Sequence, residues 1–346
     1  MNVKDCVKYS LWFYLFLGSH ICLADDIDVY GTSDENNEKI LNAYGQSLLS
    51  LEKKKLLLNI QHRDNTSLKK PYQQFIDNIE HQFKLSSVNV DTVFYPHNQQ
   101  FYTTINICDP KVTHGLSKGA PEKPYRLPQK PDVVDNMYAF TKKALDFLIA
   151  HPQYANRMDC KDYHCITPEH AYFAKDLAYF RTEAPKRQSF IQYTIVNDTN
   201  LARRRSAIFL LGFLRNPDAI AANLQLALQD KNSFIRHDAL RVFGELYKKC
   251  PHVQVPVHKV IDSTYSCDEA ERNKALILLN AMAEDKQYQL VLIKEAGAQL
   301  IRLLKLKQPN NHDEAYQILR KISYKDYSEH AYLDWQNWLQ SQAHVQ

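Results

Sequence analysis

The segments LARRRSAIFLLGFL (201–214) and FIRHDALRVFGEL (234–246) decide the fold, because an offset of 32 residues puts like side chains in like slots. Asp198 then matches Asp230, Asn200 matches Asn232, and Arg204 matches Arg236. The register continues through Ala207 and Ala239, Leu211 and Phe243, Gly212 and Gly244, and Leu214 and Leu246. A third copy, AERNKALILLNAM (270–282), sets Arg272, Ala275, Leu279 and Met282 in the same slots 36 residues on. Ala315, Leu319 and Ile322 mark a fourth after a further 40. Partner helices are expected at 217–228, which opens on Asn216-Pro217, at 252–263, and at 286–307 with a bend at Gly297. Helix pairs recurring every 32 to 40 residues bury their apolar faces only against their neighbours, which is the pattern of an α-solenoid.

With aspartate before the second helix, arginine in its first turn, then alanine, leucine and glycine, 198–246 resembles HEAT repeats of the short bacterial kind. IKEAGAQLIRLLKLKQPNNHDEAYQILRKIS (293–323) resembles an armadillo repeat, and the likeness as a whole covers roughly residues 190–325. The resemblance implies a HEAT/armadillo-like α-solenoid. It says little about chemistry, since these families serve mainly as binding scaffolds and only occasionally as enzymes. Arg236-His237-Asp238-Ala239 is similar to the His-Glu element of deoxyhypusine hydroxylase, a HEAT-repeat enzyme that holds two irons. The matching slots carry Arg205-Ser206 and Asn273-Lys274, so the ligands for such a centre are missing.

Outward from the array the chain changes character. Val134, Met137, Tyr138, Leu145, Leu148 and Ile149 keep helical spacing up to His151-Pro152, and Thr167-Pro168-Glu169 is expected to open another helix with Thr167 as its cap. Residues 109–132 hold five of the fourteen prolines and read as a linker or extended loop. Before them come two helical patterns, one from Ile40 and one from near Pro71, and then alternating Val88, Val90 and Phe101, Thr103, Ile105, Ile107, a β-hairpin across Pro96-His97-Asn98-Gln99. Lys4 and Lys8, the apolar run LWFYLFLG (11–18) and the small-residue site ending at Ala24 form a secretion signal. At the other end Tyr324, Tyr327, Tyr332, Trp335 and Trp338 fit a capping helix from about Ser328.

The expected fold is therefore mainly α, with a small N-terminal ααββ module. Its parts are a signal peptide at 1–24, the module at 25–108, the Pro-rich segment at 109–132, a helical segment with the Cys160/Cys165 loop at 133–185, and the solenoid with its cap at 186–346. Only eight glycines argue against an all-β chain, and GxGxxG, GxxxxGK[ST], HExxH and GxSxG are all absent.

Charge is uneven. Residues 201–325 carry 20 Lys and Arg against 13 acids, whereas 25–200 carry 21 against 22. Arg204, Arg236 and Arg272 with Asp198, Asp230 and Asp268 read as an internal ladder between repeats. Arg203, Arg205, Arg241, Lys274 and Arg302 are then the candidates for a partner-binding face, and an acidic protein partner fits their charge. An exported chain seldom meets nucleic acid. No second apolar run of membrane length follows the signal, no cofactor is expected, and the oligomeric state is not readable.

Export also bears on the cysteines. Five remain after residue 24, and proximity pairs Cys160 with Cys165 and Cys250 with Cys267, leaving Cys108 over. Cys160, His164, Cys165 and His170 form an alternative metal set with loosely zinc-finger-like spacing. The expected function is an exported, non-enzymatic protein-binding scaffold in the periplasm or outside the cell. The alternatives are an unrecognised, metal-dependent enzyme and an exported effector acting on a host protein.

The repeat register yields a direct test. Phe243→Ala should cost roughly 3–5 kcal/mol in chemical denaturation, because the slot faces a continuous core. A loss well under about 1 kcal/mol would put Phe243 outside a packed core and reject the register.

Overall fold

The computed structural model describes residues 27–60, 64–85, 87–95, 100–116, 118–119, 125–155 and 157–343. The secretion-signal segment and the turn at 96–99 lie outside them. The chain is mainly helical, with a small sheet near its start.

Strand β1 (Ile27–Tyr30) is followed by helices α1 (Asp34–Ile60) and α2 (Lys69–Phe83), then strands β2 (Val88–Tyr95) and β3 (Gln100–Ile107). The hairpin pairs antiparallel from Val88 opposite Ile107 to Tyr95 opposite Gln100. β1 adds to it in parallel, Ile27 opposite Thr103, so the sheet order is β1-β3-β2. The sequence reading of an ααββ module missed β1, whose four residues are too few to display a period. Side chains alternate across a sheet, and here one face is apolar: Ile27, Val29, Val88, Ile105 and Ile107 pack with Ile40, Leu48, Phe75 and Ile79 of the two helices. The other face is polar, yet Asp28, Tyr30, Thr104 and Asn106 are buried as well. β1 ends at Gly31, whose φ of +100° and close approach to the Ile107 carbonyl, 2.0 Å from a built Cβ, exclude any side chain.

What covers the polar face is a stack of helices. These are α3 (Val133–Ala150), α4 (Ala174–Lys186), α5 (Gln188–Asn197), α6 (Leu201–Leu211), α7 (Pro217–Ala227), α8 (Ser233–Lys249), α9 (Val257–Ser263), α10 (Glu269–Met282), α11 (Lys286–Val291), α12 (Gly297–Leu304), α13 (Pro309–Ser323) and α14 (Tyr332–Ala343). Side-chain caps start many of them: Asn200, Asn216, Asn232, Asp268, Asp285 and Gln308 each accept a backbone N–H of the first turn, satisfying donors a helix leaves open. α6 packs on α8, α8 on α10, and α10 on α13, with α7, α9 and α12 as partners. The repeat slots Ala207, Leu211, Leu214, Ala239, Phe243, Leu246, Ala275, Leu279, Met282, Ala315, Leu319 and Ile322 are all buried in one core. Trp335 and Trp338 of α14 close its end.

Three local expectations change. Thr167 caps no helix: Thr167–Pro168 pairs antiparallel with Met158–Asp159, and α4 begins only after a 3-10 turn over Ala171–Phe173 that His170 caps. The expected 252–263 helix shrinks to α9, since Pro256 lacks the N–H that a helix interior needs and stands instead at its N-cap. The bend expected at Gly297 is a π-helical turn over Leu292–Ala296 just before it, and the Leu339 side chain of α14 packs close against Gly297.

The cysteine pairing changes too. Cys267 bonds to Cys108, with Cα atoms 5.1 Å apart, and Cys250 is a free thiol beside the Tyr163 hydroxyl. Proximity in sequence misled because β3 delivers Cys108 directly onto the buried turn before α10, while Cys250 ends α8 and faces Tyr163. Cys160 and Cys165 form the second disulfide.

The two bonds differ in what they close. Cys108–Cys267 spans 159 residues and ties the sheet to the helices, whereas Cys160–Cys165 spans five. The chain-entropy relation assigns them about 5 and about 2 kcal/mol. Cys108→Ser with Cys267→Ser should therefore lower unfolding free energy by clearly more than Cys160→Ser with Cys165→Ser, in urea titrations of the purified protein. An equal loss would mean the long bridge adds nothing to a sheet already held by its contacts.

Candidate functional site

The arginine ladder sits at the centre of the stack. Nη1 of Arg204, Arg236 and Arg272 each donates to a carbonyl six residues back, on Asp198, Asp230 and Ser266. Each guanidinium also reaches the next copy: Arg204 to Asp230 at 3.3 Å, Arg236 to Glu271 through two 2.7 Å bonds, and Arg272 to Asn311 at 2.7 Å. The third acid of the expected ladder, Asp268, instead caps α10 and accepts from Ser233.

The five cations singled out for a partner divide into two groups. Arg203 is consumed inside the protein, bonded to Asp132, Asp135 and Asp198, where it ties α3 to the start of α6. Arg205 bonds Asp238 of the next copy at 2.6 Å. Arg302 stands 3.9 Å from Asp34 at the edge of the sheet module. None of these three is available without breaking a contact.

Arg241 and Lys274 are different. Arg241, half-buried on α8, makes no hydrogen bond or ion pair among the described residues. Lys274, half-buried on α10, donates only to the neutral Asn273 side chain. The acids whose fields reach them are committed elsewhere: Asp238 to Arg205, Glu245 to Lys248, Glu269 to Gln308 and Asn310, and Glu314 to Asn280. Desolvation, and then the neighbouring Arg241, hold the Lys274 ammonium down at about 8. Desolvation also lowers Arg241. His237, its Nδ1 3.4 Å from Asp238, is pushed down to about 4 by burial and is neutral at physiological pH.

The repeat register sharpens the contrast. Arg241 occupies the slot of Phe209 and Ile277 in the adjacent copies, and Lys274 that of Ser206 and Asp238. Two cations thus stand where the neighbouring copies carry apolar, small or acidic residues.

The alternative metal set is not gathered. His164 is buried with its ring on Phe213 at 4.6 Å, and burial lowers it to about 4. His170 Nδ1 accepts from the Tyr172 N–H, and its ring lies against Phe147. Cys160 and Cys165 converge with Glu245 instead, their sulfurs spent in the disulfide.

A recess lies away from Arg241 and Lys274, on α3, lined among others by Tyr125, Tyr138, Phe147 and Tyr172. Of its residues the sequence reading singled out only His170 as a candidate ligand. The signal available was the spacing of Tyr138, Lys142 and Asp146, a mixed aromatic and charged stripe beside the apolar one on the same helix.

No protein-family model, curated protein or solved structure matches this chain. Among the described residues no helix is long and apolar enough to cross a membrane.

Unpaired buried charge costs stability, so removal should help the fold. Lys274 holds its proton less tightly folded than unfolded, where it has the ordinary 10.5. Folding stability should therefore rise as pH climbs from about 8 towards 10.5. Lys274→Met, which keeps the stem and removes the charge, should stabilise by about 1 kcal/mol at pH 7 and lose that gain above pH 10. Thermal melts across pH 6–10.5 check this, and a destabilised variant at neutral pH would mean Lys274 has an internal counter-ion.

Proposed function

We propose that this chain is an exported, non-enzymatic binding scaffold, a HEAT/armadillo-like α-solenoid that recognises an acidic segment of a protein partner through the face of α6, α8 and α10. One observation carries the reading: Arg241 and Lys274 are cations with no acid of their own, in slots filled otherwise by the adjacent copies. Two charges partly removed from water gain most from a carboxylate that a partner brings. The side-by-side packing of α6, α8, α10 and α13, tied by successive arginines, supports the solenoid class. Two disulfides support an oxidising compartment, in keeping with the reading of residues 1–24 as a secretion signal. The acids and histidine around the pair are held in structural contacts or kept neutral, which favours recognition over catalysis.

The test is capture of partners by the secreted chain, followed by titration of the purified pair. Arg241→Ala combined with Lys274→Ala should weaken the complex about tenfold or more. Added salt should weaken the wild-type complex, and so should a rise of pH through about 8, as Lys274 loses its proton. An affinity indifferent to the double substitution, to salt and to pH assigns recognition to another surface.

A further inference from the structure

The recess on α3 is a cleft of about 720 Å³, within the range of small-molecule sites. Along α3, Tyr138, Lys142 and Asp146 follow one another every four residues, with Lys143 and Phe147 on the adjoining stripe, so both stripes face the cleft. Its aromatic walls are held before any ligand arrives. The Tyr125 hydroxyl donates to Asp135 at 2.6 Å, and its ring meets that of Tyr138 edge-on at 5.2 Å. At the far end Phe147 and Tyr172 are stacked at 5.8 Å. Tyr172 is 54% exposed, and Lys143 lies 3.8 Å over its ring and is itself fixed by Asp176 at 2.8 Å.

The charges in the cleft narrow the occupant. Lys143 is neutralised by Asp176. Lys142 and Asp146 are exposed, opposite in sign, and without hydrogen bonds or ion pairs among the described residues. An anion would meet Asp146 and a cation would meet Lys142. A wholly apolar occupant would strip water from both and return no hydrogen bond. A neutral molecule with flat C–H faces and many hydroxyls, each able to donate and accept, satisfies aromatic faces, one free ammonium and one free carboxylate together.

We propose that the α3 cleft binds a neutral oligosaccharide, with pyranose rings against Tyr138 and Tyr172 and hydroxyls bonded to Lys142 and Asp146. The stretch from Tyr138 to Asp146 covers about 12 Å of helix, room for roughly two or three sugar rings. The site is separate from Arg241 and Lys274, so the two readings stand or fall independently.

The experiment is isothermal titration of the intact secreted chain with malto-, cello-, xylo- and chitohexaose, alongside a proline-rich peptide of matched length. Saturable binding of at least one hexasaccharide is expected. Tyr172→Ala and Tyr138→Ala should each weaken it about tenfold, while Tyr172→Trp should retain it and Arg241→Ala should leave it unchanged. Tyr172 is exposed, so its variants test the site without burdening the fold; circular dichroism and melting temperature verify that Tyr138→Ala is folded. Absence of heat with all four sugars at millimolar concentration overturns the proposal. So does sugar binding that both alanine variants leave intact, or binding of the peptide in place of the sugars.

Discussion

Arg272 carries a full charge with no surface left to water, and among the described residues no carboxylate bonds to it. A buried cation in that position is tolerable only if oriented dipoles replace its hydration. Four do so: the Ser266 carbonyl of its own turn, the Asn311 amide of the next copy, the Asn106 amide of β3, and the face of the Tyr30 ring at 3.9 Å. Two of the four belong to the sheet module. The helical stack is therefore incomplete without the sheet, because removing it would leave Arg272 short of a hydrogen bond and a ring. The sheet in turn depends on the stack, since Asp28 accepts the backbone N–H groups of Lys307 and Gln308, and Tyr30 donates to Thr264.

That interdependence explains which parts of the fold could be read in advance. The helical positions were legible because an apolar side chain facing a packed neighbour must recur with the helical period, and Ala207, Ala239 and Ala275 are fully buried. The sheet was legible only as an alternation. Alternation normally means one dry face and one wet face, and Thr104 and Asn106 follow that rule in type while breaking it in fact. Asn106 donates to Asp91 on the paired strand, but its oxygen accepts from Arg272, and no local pattern encodes a pairing 166 residues apart. The same holds for Cys108 and Cys267.

Matching letters also conceal different causes. Gly212 and Gly244 align in the repeat, but a Cβ on Gly212 would come within 2.6 Å of the His164 ring, whereas one on Gly244 would meet nothing within 4 Å. The first glycine makes room for the Cys160/Cys165 loop, in which the Tyr163 N–H also bonds the Gly212 carbonyl. The second keeps the slot without that neighbour. Likewise Arg203 and Arg241 are both basic residues on helices of the stack, and only the surroundings separate a cation with three acids from one with none.

The separation has a geometric origin. A residue in the first turn of a second helix, such as Arg236, lies within reach of the loop carbonyl six residues back and of the next copy's first turn, where caps and acids collect. Acceptors there are supplied by the way helices begin. One turn further on, at Arg241, backbone acceptors are already used within the helix, and the lateral neighbours in the register are Phe209 and Ile277. A cation in that slot must find its partner in a side chain, and the acids close enough to act on it, Asp238 and Glu245, already hold Arg205 and Lys248. Lys274 adds a second positive charge at the slot equivalent to Asp238, one helix away. The stack thus satisfies its arginines at helix starts and leaves the mid-helix cations Arg241 and Lys274 with neither a backbone acceptor nor an acid of their own among the described residues.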